Sequence, residues 1–207
     1  MAYFPMCISL KGTHIILVGE GNIAIEKLNI SQSFDADIYL ISDQKFTEIE
    51  SASEKNQKIH IICRPLTEQD LDLRPAFVVV ADVAYSEKER ISALCHQKHI
   101  PVNVVDAPAL CSFYFPAIIH SGDLTVSVST GGKSPGAAAY LRRHLETQIP
   151  DKTDEILEWL SKLRSELPKE LSPAKRRLIL KQAVTEAFEK NRPLEAHELQ
   201  GFDILKK

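Results

Sequence analysis

Cysteine is scarce and scattered: Cys7, Cys63, Cys95 and Cys111 are far apart in a chain of 207 residues, with no CxxC pair. That spacing excludes a dense disulfide framework and points to buried, reduced thiols acting as small hydrophobes. No apolar run approaches the length of a membrane span, and Met1–Gly12 lacks the apolar centre of a secretion signal, so a cytoplasmic protein without a membrane partner is expected. Neither charge sign dominates, since 25 Lys and Arg against 28 Asp and Glu leave a net −3, which gives no general reason to expect nucleic acid. His96 and His99 stand three apart with no carboxylate cluster to complete a site, so no resident metal is expected. What remains, 44% apolar and 26% charged residues, is ordinary for a globular chain long enough for a nucleotide domain plus something smaller.

The richest stretch is Ile15–Ile16–Leu17–Val18–Gly19–Glu20–Gly21–Asn22–Ile23–Ala24, a β-branched run that ends in Gly-x-Gly-x-x-Ala and passes into a helical pattern at Ile25–Leu28. The first glycine permits a tight turn, the second lets backbone amides approach an anion, and Ala24 is small enough for the helix to pack on the sheet. Helix-start amides that lack internal acceptors then form a cradle for a dinucleotide pyrophosphate. A supporting carboxylate belongs about twenty residues onward at the end of a second strand. Ile38–Ile41 supplies the strand and Asp43 follows it, with Asp35 and Asp37 as competitors. Asp43 is either a ribose contact or an ordinary strand-end carboxylate. Ser42 and Lys45 beside it leave NAD and NADP both open.

Along the chain, Phe4, Met6, Ile8 and Leu10 alternate like a short edge segment. The polar residues 53–58 read as a connection, Ile59–Cys63 as a third strand and Leu66–Leu73 as a short helical or looped return. Ala76–Ala81 is a continuous apolar run, as in a parallel strand covered on both faces, and Asp82 ends it at the ligand-binding edge. A helix from Ser86 through Cys95 follows, with Ser86 and Glu89 as a capping box. Val102–Val105 is the next strand and finishes at Asp106. Strands alternating with helical returns make the first ~110 residues α/β.

After Pro108 the pattern changes. Phe113–Ile119 and Leu124–Ser129 read as two strands joined through His120–Asp123. Thr130–Gly131–Gly132–Lys133–Ser134–Pro135–Gly136 then turns into a helix over Ala137–Leu145. A Walker A loop would need glycine where Ser127 stands, so an ATPase is excluded, although the loop can still present a lysine, hydroxyls and amides to another anion. Asp154–Leu167 and Pro173–Lys190 are amphipathic helices. The second starts after Ser172, and its basic run Lys175–Arg176–Arg177 reads as a solvated face.

Tyr3–Phe4–Pro5, Leu10–Lys11–Gly12, Val18–Ala24, Asn103–Asp106 with Pro108, Phe115–Pro116–Ala117 and Ser129–Pro135, in that order, resemble the sirohaem-synthase family. The closest likeness is to its precorrin-2 dehydrogenase and sirohydrochlorin ferrochelatase module. The resemblance runs from about residue 3 to residue 150. It implies an α/β chain: a Rossmann-like parallel-sheet domain over 1–112, a small α+β dimerisation domain over 113–149 and a helical C-terminal domain over 150–207. It also implies a tetrapyrrole cleft and a homodimer. The implied activity is NAD-dependent oxidation of precorrin-2 to sirohydrochlorin; the alternatives are ferrous-iron insertion by the same module, or a non-catalytic NAD-binding regulatory dimer.

Carried onto this chain, the resemblance places the phosphate loop on Gly19, Gly21, Asn22 and Ile23, with Ala81 at the cofactor edge and the key active-site aspartate at Asp106. An aspartate there acts as general base or holds the macrocycle for proton loss. A substrate with eight carboxylates needs cationic and amide donors, for which His120, Ser129, Thr130, Lys133, Arg142 and Arg143 are the candidates. Four positions depart from the family pattern, one of them Glu26, where an arginine is expected beside Lys27. Glu20 stands where relatives usually carry a further glycine, Asp82 where they carry threonine, and Lys88 where they carry asparagine.

Overall fold

The computed structural model describes residues 4–43, 56–200 and 202, with the side chain of Gln200 left aside; Tyr3, Lys45 and residues 53–55 lie outside the described residues. Contacts divide the chain into two units, Ala2–Phe115 and Pro116–Lys207.

The N-terminal unit is built on five parallel strands, β1 (His14–Val18), β2 (Asp37–Ser42), β3 (Ile59–Cys63), β4 (Val78–Val80) and β5 (Val102–Val104), in the order β3-β2-β1-β4-β5. Helices α1 (Gly21–Ser31), α2 (Glu68–Asp72) and α3 (Tyr85–Gln97) connect them. Successive strand residues point to opposite faces. Ile16, Val18, Ile41, Val78, Val80 and Val104 therefore join Ile91 and Cys95 of α3 in one core, while Ile15, Leu17, Ile38, Leu40 and Val79 join Leu28 of α1 in another. Cover on both faces is why β4, within Ala76–Ala81, reads as an uninterrupted apolar run. Burial in the first core pushes the Cys95 thiol up to about 12.

Four local expectations are corrected. Phe4, Met6 and Ile8 form no strand and are exposed, because no neighbouring strand accepts their backbone. Phe113 and Phe115 precede β6 instead of starting it, and stack edge to face with Phe77 on the second core at centroid distances of 5.2–5.8 Å. The Ser86–Glu89 capping box does not form: the capping position falls on Ala84, two residues earlier, which places Ser86 inside the first turn of α3. Only Cys95 of the four thiols is buried; Cys111 is half-buried, and Cys7 and Cys63 are exposed.

In the C-terminal unit, β6 (Ala117–Ser121) and β7 (Leu124–Val128) form an antiparallel pair that packs against α4 (Pro135–Glu146). Beyond it, α5 (Thr153–Glu166), α6 (Pro173–Glu189) and α7 (Ala196–Gln200) enclose Ile156, Leu167, Ile179, Ala183, Ala187, Leu194 and Phe202. Helices α4 and α6 both begin with a capping serine followed by proline: Ser134 accepts from the Ala137 amide at 3.1 Å, and Ser172 from the Lys175 amide at 3.3 Å. Arg176 departs from the solvated-face reading of its basic run. Its guanidinium donates to the carbonyls of Arg164, Leu167 and Pro168, satisfying acceptors that the end of α5 leaves open. Among the described residues, no helix is long and apolar enough to cross a membrane.

Candidate dinucleotide site

The strand order reverses at β1, whose neighbours β2 and β4 lead away in opposite directions. Crevices form at the carboxyl ends of strands at such a point. Here the chain leaves β1 through Gly19, whose φ of 116° is open to glycine, while its amide donates to Ile41 O at 3.0 Å. A Cβ on Gly19 would stand 3.0 Å from the Asp82 amide nitrogen and 3.3 Å from the Ala81 carbonyl carbon. Close approach at this point lets Glu20 and Asp82 pair as an antiparallel bridge, joining the turns that follow β1 and β4.

Helix α1 begins at Gly21, earlier than the periodicity suggested, so the amides of Asn22 and Ile23 fall in its first turn. Glu20 takes the capping position without a side-chain hydrogen bond to the helix, and the first turn carries no acidic residue. An anion can therefore use those amides and the positive end of the helix.

Beside the turn lies a cleft of about 520 Å³. It is lined by Gly19 and Glu20 after β1, Ser42 and Asp43 after β2, Arg64, Pro65 and Leu66 after β3, Asp82 and Val83 after β4, and Glu87 and Arg90 of α3. Both arginines are held from behind. Arg64 grips Asp70 with two bonds of 2.8 and 2.7 Å, and the Asp70 carboxylate also accepts from the Thr67 amide and hydroxyl. The Arg64 guanidinium holds the Asp70 carboxyl down at about 2, against the opposing effect of burial, with the Thr67 donors assisting. Arg90 bonds Glu87 at 2.7 and 2.5 Å and donates to Leu66 O at 2.7 Å, and it keeps the Glu87 carboxyl below its usual range.

The remaining expected residues lie in three places. Ala81 is wholly buried below the cleft, and its amide donates to Val18 O at 2.8 Å. Asp106 follows β5, two strands from β1, exposed and with φ of 59°. His120, Ser129, Thr130, Lys133 and Arg142 belong to the C-terminal unit. There Ser129 Oγ accepts from the Gly131 amide, and Thr130 Oγ1 exchanges bonds with the backbone of Ser134, so the loop before α4 holds itself with Lys133 exposed. His120 Nδ1 is 3.4 Å from Thr125 Oγ1. Arg142 points at Glu146 one turn along the helix, at 2.8 Å.

Sequence reasoning missed Arg64 and Arg90. Arg64 carried the signal, since it immediately follows a strand at its carboxyl end; Arg90 sits mid-helix and had none.

A dinucleotide can be tested against these atoms. The uncapped α1 amides suit a pyrophosphate, and Asp43 in the cleft suits a ribose hydroxyl. Glu20 adds an independent match: its Oε2 is buried with no hydrogen-bond partner among the described residues, an acceptor that a sugar hydroxyl would satisfy and a phosphate would not.

A family profile described as NAD(P)-binding matches residues 6–117, and one described as sirohaem biosynthesis protein central matches residues 121–148. The siroheme synthase of Pseudomonas fluorescens (strain Pf0-1) is 31% identical over 170 residues, which cover 81% of this chain and 36% of that protein. The siroheme synthase of Azotobacter vinelandii is 30% identical over 208 residues, 99% of this chain and 44% of that one. The chain thus spans less than half the length of these relatives. Among solved structures, SirC, precorrin-2 dehydrogenase, shares the fold with a TM-score of 0.69 at 20% identity, covering 97% of this chain and 96% of that one.

Proposed function

The chain belongs to the sirohaem-synthase NAD(P)-binding family, and from that premise we propose that it oxidises precorrin-2 to sirohydrochlorin in the cytoplasm, with NAD as the electron acceptor. One observation carries the reading most directly: an uncapped helix start behind a glycine turn at the strand-order reversal, on the same sheet edge as Asp106. The division of labour gives dinucleotide binding to 1–112, dimerisation to 113–149 and a helical C-terminal domain to 150–207.

Gly19, Gly21, Asn22 and Ile23 hold the pyrophosphate through the backbone, Asp43 and Glu20 accept from ribose hydroxyls, and Ala81 floors the cofactor edge. Held there, NAD would supply the hydride acceptor for the oxidation. The oxidation also releases a proton, and Asp106, exposed at the end of β5, accepts it. Lys133, Ser129, Thr130, His120 and Arg142 supply donors for the substrate's carboxylates. The same aspartate serves pyrrole deprotonation where ferrous iron is a second substrate. A homodimer is supported by α4, which exposes Tyr140, Leu141 and Leu145 beside a sheet of two strands.

Anaerobic incubation with precorrin-2 and NAD, followed by ferrous iron, tests the proposal. Wild type should form NADH and sirohydrochlorin. Gly21→Asp should abolish NADH formation by placing a side chain and a negative charge in the amide cradle, whereas Asp106→Ala should cut turnover while NAD titrates normally. Iron insertion kept by the first variant and lost in the second would assign chelation to Asp106 as well. Absence of NADH with wild type overturns the dehydrogenase assignment.

A further inference from the structure

The peptide that carries Asp106 is braced on several sides. The Val105 amide donates to Val80 O at 2.9 Å, continuing the β4–β5 ladder one residue past β5. The Ala107 amide returns to Val104 O at 3.3 Å, and Ala107 is buried in the first core. Beneath the turn, the Cys111 thiol lies 3.2 Å from both the amide and the carbonyl of Val104 and 3.5 Å from Ala107 O. Between these fixed points Asp106 holds φ of 59°, a left-handed conformation that residues with a Cβ rarely adopt.

One bond in this set comes from a different element. Lys88, in the first turns of α3, donates from its Nζ to Val105 O at 3.0 Å. That carbonyl belongs to the peptide whose nitrogen is the Asp106 amide, so its orientation fixes the plane from which the Asp106 side chain departs. A charged donor to a half-buried carbonyl is stronger than a neutral one, and the carbonyl would otherwise turn toward water.

We infer that Lys88 is a positioning residue for Asp106, holding the Val105–Asp106 peptide so that the carboxylate faces the macrocycle. This rests on the proposed dehydrogenation and extends it, because Lys88 touches neither the dinucleotide cleft nor the reacting atoms.

The test is a double-mutant cycle on precorrin-2 oxidation with NAD, reading kcat, both KM values and thermal midpoint. Lys88→Met keeps the aliphatic stem and removes the donor. It should lower kcat about tenfold, leave the KM for NAD within twofold, and shift the midpoint by no more than a few degrees. Lys88→Arg, which can still reach the carbonyl, should recover most of the loss. In an Asp106→Ala background, Lys88→Met should add nothing further, since the lysine acts through a side chain already gone. Wild-type kcat in Lys88→Met overturns the inference, as does an equal loss with and without Asp106, or a parallel loss of NAD binding in both lysine variants. An inactive wild type would overturn the dehydrogenase reading itself, and this inference with it; an active wild type with an indifferent Lys88 overturns the inference alone.

Discussion

Two glycine turns feed helices in this chain, and their surroundings differ. Gly19 is walled in, with the backbone of Ala81 and Asp82 within 3.3 Å of the place a Cβ would occupy, while Gly131 and Gly132, at φ of 61° and 78°, have nothing within 4 Å. The first turn is a packing solution as well as a backbone one. Its shape is fixed by the neighbouring strand before any ligand arrives. Among the described residues, the hydrogen bonds that hold the second turn are its own, from Ser129, Thr130 and Ser134, and Lys133 is exposed there. The first turn is preorganised, whereas the second leaves its lysine free to reach outward.

The sharpest way to break this contrast is Gly19→Ala. A methyl group there meets backbone, and the residue must also hold φ of 116°, so the cost should be about 3 kcal/mol. Thermal melting should show a drop of roughly 10 °C; an unchanged midpoint would mean that the turn can relax.

Asp70→Asn probes the wall of the cleft by way of pH. The Asp70 carboxyl sits at about 2 when folded, below the ordinary carboxylate value, so its contribution is complete above pH 4 and disappears as pH falls toward 2. Wild type should therefore lose about 2 kcal/mol of stability across that window through this group, and the variant should lack that part of the acid limb. Denaturant titrations at pH 2, 3, 4 and 7 read the difference directly.

Gly132→Ala should cost only about 1 kcal/mol, because the backbone conformation is strained but no neighbour is struck. Lys133→Ala should leave the melting temperature within a degree or so and raise KM for the tetrapyrrole alone. If Lys133→Ala instead destabilises the fold, the second turn is not the open loop its surroundings indicate.

The sequence made the architecture legible where burial on two faces writes an uninterrupted apolar run, as in Ala76–Ala81 around the fully buried β4, and Ile59–Cys63 matches β3 at both ends. It misled where alternation lacked a partner strand, as at Phe4–Ile8, and where a capping pattern could slide by two residues, as at Ser86. Gly19 and Asp43 line the same cleft, and their spacing along the chain was enough to suggest it. The grips of Asp70 on Arg64 and of Lys88 on Val105 O left no such trace. The first joins a strand end to a short helix that only the tertiary fold brings round, and the second joins residues 17 positions apart across two strands. Side chains that meet by folding leave no period to read.

The sealed thiol of Cys95 has a practical consequence. With its sulfur in the first core and its proton held up to about 12, it stays unreactive toward an alkylating reagent while the N-terminal unit remains closed. Cys7 and Cys63, exposed, label at once. The slow labelling step at Cys95 is therefore a clock for the opening of the sheet, requiring no added probe, and any ligand that steadies this unit will slow it.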